Sequence, residues 1–78
     1  DVLNIRFEST ESAEAEIYLF DNTGRKCENI FNGMIYAGRN EFQWNRISQS
    51  NKALKEGIYF INIKFNRNTI TRKIILAR

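Results

Sequence analysis

The sequence has no histidine and no proline, a single cysteine and only four glycines. Each shortage removes something. Without histidine, neither a Ser-His-Asp nor a Cys-His arrangement can be assembled, and zinc sites built from His or paired Cys fall away too. Cys27 has no second thiol to meet, so no internal disulfide forms, and a lone buried thiol behaves as a small hydrophobe. No stretch approaches the ~20 apolar residues of a membrane-spanning helix, and no apolar core of a signal peptide stands at the start. Asp1 in place of Met suggests a piece excised from a larger precursor, whose export signal would lie outside it. The missing prolines leave charges such as Arg6, Lys64 and Lys73 to blunt sheet edges.

Charge is equally uninformative about a polyanionic partner. Twelve basic residues against nine acidic ones give +3, and the cations are scattered with no basic block. No nucleic acid, cofactor or direct membrane insertion is expected. The acids Glu8, Glu11, Glu14 and Glu16 cluster in sequence, but Glu14 and Glu16 point outward from a strand rather than converging from a calcium loop. Gly24-Arg25-Lys26 lacks the Gly-rich loop and following helix of a phosphate site. No catalytic residue and no metal site is expected, hence no enzyme.

What is present is alternation. At 78 residues there is room for one domain, whose core buries about 60% of the unfolded surface. "VLNIRFE" sets Leu3, Ile5 and Phe7 against Asn4, Arg6 and Glu8, the period of a half-buried strand. "AEAEIYLF" repeats it with Ala13, Ala15, Ile17 and Leu19; Ala and Glu favour helix, but the period of two argues for strand. "DNTGRK" is a turn in which Asp and Asn bond their own backbone and Gly24 takes positive φ. "KCENIF" returns from it. Gly33 and Gly38 bracket "MIYA", a short edge-like piece, and "NEFQWN" follows with Phe42 and Trp44 on one face. Residues 46–56 form the longest polar interval, a loop. "GIYFINIKF" starts apolar on both faces, as a central strand does. "NRN" turns the chain into "TITRKIILA". Six or seven short strands with no helix predict a small β-sandwich, all-β, with Trp44 and Leu54 in its core.

Three stretches in order, "IYLFDNTGRK", the pair "GRNEFQWN" and "LKEGIYFINI", and "TRKIILAR", resemble the C-terminal sorting domain (type A signal) of type IX secretion cargo in Bacteroidetes. Asp21, Gly24 and Arg25 match its first motif. Gly38, Trp44, Leu54, Gly57 and Tyr59 match the middle, and Lys73, Ile74, Ile75 and Leu76 the end. The resemblance covers nearly the whole chain from Leu3. Asn45 stands where the family usually has Asp, Lys55 where Pro often precedes the Gly, and the family's Pro-Asn-Pro opening segment is absent. The resemblance implies an immunoglobulin-like sandwich of about seven antiparallel strands, serving as one sorting domain over residues 1–78. It implies a cargo that passes the periplasm, leaves through an outer-membrane translocon, and reaches the cell surface or medium. A sortase then typically removes the domain and joins the cargo to anionic lipopolysaccharide. Lys73, Ile74, Ile75, Leu76 and Arg78 are the residues expected to meet the translocon, because the closing strand is written as core with accessible last residues. Two other classes fit the strands: an immunoglobulin-like adhesion or assembly module, and a carbohydrate-binding sandwich. The latter requires Trp44, Tyr36 and Tyr59 exposed in a row.

Overall fold

The alternation is realised as six strands in a computed structural model that describes residues 3–45 and 54–77. They are β1 (Leu3–Ser9), β2 (Ala13–Asp21), β3 (Lys26–Ile35), β4 (Gly38–Trp44), β5 (Gly57–Phe65) and β6 (Asn68–Leu76). The described residues contain no helix. β1 and β4 form a two-stranded antiparallel sheet, and the others form a four-stranded antiparallel sheet in the order β3-β2-β5-β6. The "MIYA" piece does not stand apart: β3 runs through Gly33 and ends at Ile35, which keeps the count at six among the described residues. Its ladder to β2 continues past the glycine, with Ala15 opposite Gly33 and Ala13 opposite Ile35.

The faces follow the period of two. Ala13, Ala15, Ile17 and Leu19 on β2 point inward, and so do Tyr59, Ile61, Ile63 and Phe65 on β5. β5 lies between β2 and β6, so the strand that opens apolar on both faces is central. Ile17, Leu19, Ile35 and Ile63 are fully buried, each contributing roughly 1.5–3 kcal/mol relative to exposure. The two-stranded sheet closes this layer with Ile5, Phe7 and Trp44.

Phenylalanines join the layers. Phe7 stacks on Phe65 of β5 with ring centroids 5.5 Å apart, and on Phe42 at 5.9 Å. Phe42 in turn meets Phe31 of β3 at 4.4 Å. The four rings therefore run from the centre of the large sheet, through the small one, back to the β3 edge. Aromatic pairs at such separations add to the area they bury.

One edge assignment made from sequence changes. Lys64 lies on β5, an interior strand, and shields no edge. Lys73 lies on β6, which is an edge.

Candidate recognition surface

The turn after β2 is organised by one carboxylate. Asp21 Oδ1 accepts hydrogen bonds from the Thr23 hydroxyl at 2.6 Å, the Thr23 amide at 2.9 Å and the Arg25 amide at 3.0 Å. Its backbone amide donates to the Arg25 carbonyl, and its carbonyl accepts from the Gly24 amide. Arg25 also approaches Oδ2, at 3.6 Å. These donors favour the charged form and hold the carboxyl below its usual value, with the Thr23 hydroxyl the largest influence. Gly24 closes the turn at φ +90°, a conformation L side chains rarely adopt.

The start of β5 is tied down next to it. The Tyr59 phenol is buried and donates to the Lys55 carbonyl at 2.8 Å, anchoring the approach to Gly57. Burial pushes this phenol above its usual value, with smaller contributions from the Cys27 thiolate formed at alkaline pH and from the Asp21 carboxylate. Leu54 is half-buried against the core rather than fully inside it.

Cross-strand register then brings the separate motifs together. Asp21 stands opposite Tyr59, and Tyr59 opposite Ile74. In the next rows Phe60 lies between Phe20 and Lys73, Ile58 faces Ile75, and Gly57 faces Leu76. Residues more than 50 positions apart in sequence thus share one end of the four-stranded sheet. Gly38 sits at another place, opposite Ser9 at the β3–β4 turn, with φ +101°. Trp44 is in the core opposite Leu3.

The expected contact residues of β6 divide between two faces. Leu76 is buried and Ile74 half-buried toward the core, while Lys73 is exposed and Ile75 is 67% exposed on the outer face. Arg78 lies outside the described residues. Ile75 continues an outer apolar strip through Ile58, itself 39% exposed, to the half-buried Phe60 and Phe20. This strip escaped the sequence reading because alternation assigns faces but not neighbours. Asn40 also escaped it. Buried, it accepts from the Tyr36 amide at 3.2 Å and donates to the Tyr36 carbonyl at 2.9 Å, stapling the β3–β4 turn. An Asn two residues after a glycine is turn chemistry that the sequence does display.

A family model for the secretion system C-terminal sorting domain matches residues 1–77. The chain belongs to that family. Searches among curated proteins and solved structures give no match. The domain is therefore a sorting domain of the type IX secretion system, and its cargo is a secreted or cell-surface protein. Among the remaining alternatives, the sugar-binding sandwich needs an exposed aromatic row. Trp44 and Tyr59 are buried, leaving Tyr36 alone in solvent.

Proposed function

We propose that the type IX machinery reads the end of the four-stranded sheet where Asp21, Gly57, Tyr59 and the last residues of β6 converge. Lys73, Ile75 and Arg78 supply direct contacts to a translocon shuttle, whereas Ile74 and Leu76 hold the strand in place from the core side. The cargo passes the periplasm and leaves through the outer membrane. A sortase at the surface then cuts before the domain and joins the cargo to anionic lipopolysaccharide. The domain itself catalyses nothing and is the substrate of these steps. The observation that carries this reading is the convergence itself: Asp21, Gly57, Tyr59 and the matched residues of β6, which come from three separate stretches of sequence, share adjacent cross-strand rows.

The test is export of a passenger fused ahead of this chain in a type IX-competent cell. Lys73→Ala combined with Arg78→Ala is expected to lower export while shifting folding by less than ~0.5 kcal/mol. Undiminished export from this stable double variant removes both residues from the contact. Mass spectrometry of the surface passenger is expected to show loss of the domain and a gained glycolipid. An intact fusion at the surface overturns the sortase step.

A further inference from the structure

The free edges of this fold are not equivalent. β3, one edge of the large sheet, breaks register with β2 twice, between Ile17 and Tyr18 and between Leu19 and Phe20. Such bulges twist an edge away from further pairing. β6, the other edge, pairs with β5 over nine consecutive residues without a shift. It carries no proline, and among the described residues no strand pairs with its other side. The charge on this hairpin is also one-sided. Residues 57–77 contain four basic residues and no acidic one, and all nine acids of the chain lie before them.

We infer that the β6 edge accepts an added antiparallel strand from a protein partner, and that this strand is acidic beside Arg72 and Lys73 and apolar beside Ile74 and Ile75. This rests on the sorting reading for where the partner comes from, the secretion apparatus, but its chemistry is set by the edge alone. Alternation puts Arg72 on the inner side and Lys73 on the outer side, so consecutive acids on the incoming strand meet both. On the inner side, Arg72 borders an open groove of about 370 Å³ with Arg6, Phe7, Glu8 and Arg39. Arg6 already meets Glu41 at 3.3 Å. Arg39 and Arg72 hold no carboxylate among the described residues, and Glu8 is the lone acid of the lining. On the outer side, an apolar residue beside Ile75 extends the strip that Ile58 and Phe60 begin.

Charge decides between this occupant and a second copy of the chain. An antiparallel β6–β6 pair centred near Arg72 and Lys73 brings four cations together, and like charges directly opposite destabilise a ladder. An acidic strand turns the same positions into attraction, and its main-chain bonds supply affinity that does not depend on sequence.

The probe is the peptide acetyl-Thr-Val-Val-Glu-Glu-Val-Thr-amide, titrated into the 78-residue chain and followed by amide hydrogen exchange resolved by NMR. The expected result is slowed exchange at the β6 amides that point away from β5, weakened by added salt. A peptide with Lys-Lys in place of Glu-Glu is expected to bind about tenfold more weakly. Arg72→Glu with Lys73→Glu, both at exposed positions, is expected to reverse that preference. The inference fails if the two peptides bind alike, or if protection appears on β1, β3 or β4 instead. It also fails if no protection appears at millimolar peptide, or if sedimentation shows the chain dimerising through β6. Such failure with passenger export intact leaves the sorting reading standing, while loss of export with peptide binding intact overturns that reading alone.

Discussion

The Tyr59 hydroxyl donates to the Lys55 carbonyl at 2.8 Å, from a ring buried in the core. This bond links the segment before Gly57 to the centre of the large sheet, and it explains why tyrosine rather than phenylalanine suits the position. Tyr59→Phe is expected to cost about 1 kcal/mol, seen as a lower denaturant midpoint with an unchanged slope. The pH dependence has a definite sign. A phenol raised by burial favours the protonated, folded form, so its stabilisation is complete below the unfolded tyrosine value and is lost as pH rises through the folded one. Tyr59→Phe should therefore flatten part of the alkaline fall in melting temperature. An identical alkaline limb in the variant would contradict the assignment.

Trp44 packs into the same core from the two-stranded sheet and is 6% exposed. Trp44→Ala is expected to cost roughly 3–5 kcal/mol, comparable to the whole stability of a domain this small. Native fluorescence should peak at short wavelength and move red on unfolding. A native maximum typical of water would place the indole outside the core.

Gly24 adopts φ +90° in open space, so a side chain there meets backbone strain and no steric neighbour. Gly24→Val is expected to destabilise by about 1–3 kcal/mol. Asn22→Ala, at an exposed position of the same turn, should stay within ~0.5 kcal/mol. Chemical denaturation of both variants checks the ranking, and equal, negligible losses would sink the turn geometry.

Asp21 makes the opposite pH prediction to Tyr59. Its carboxyl is lowered in the fold by the Thr23 hydroxyl and the Arg25 amide. The resulting stability is present above the unfolded aspartate value and disappears as pH falls through the folded one. Thermal melts across the acid range should show this loss. Thr23→Val removes the hydroxyl and should move the acid limb toward the unfolded aspartate value, observable as a shift of the Asp21 carboxyl resonance in NMR titration. No change in that resonance would exclude Thr23 as the main cause.

Most strand faces were legible in the sequence because the period of two is a local property. Ile5, Phe7, Ala15, Ile17 and Leu19 are buried where alternation puts them, and Glu14 and Glu16 are outside. The turns at Asp21 and Asn66 were legible for the same reason, since their chemistry lies within a few residues; Asn66 indeed has φ +54°. Around residues 34–37 two flanking glycines suggest a separate piece where β3 in fact runs on to Ile35. A glycine weakens a strand without ending it, and β3 continues because Ile35 gains a fully buried place opposite Ala13.

Local pattern alone makes the chain all-β, the missing histidine and second cysteine rule out Ser-His-Asp and His- or paired-Cys zinc sites, and the motifs are those of a sorting domain. Which strands became neighbours is a long-range outcome of the fold. Pairing β2 with β5 set Asp21 beside Tyr59, and pairing β5 with β6 set Ile58 beside Ile75 and left one side of β6 unpaired among the described residues. Alternation fixes the face a residue shows, but the neighbour it meets depends on long-range pairing, chosen by how both sheets bury their apolar faces together.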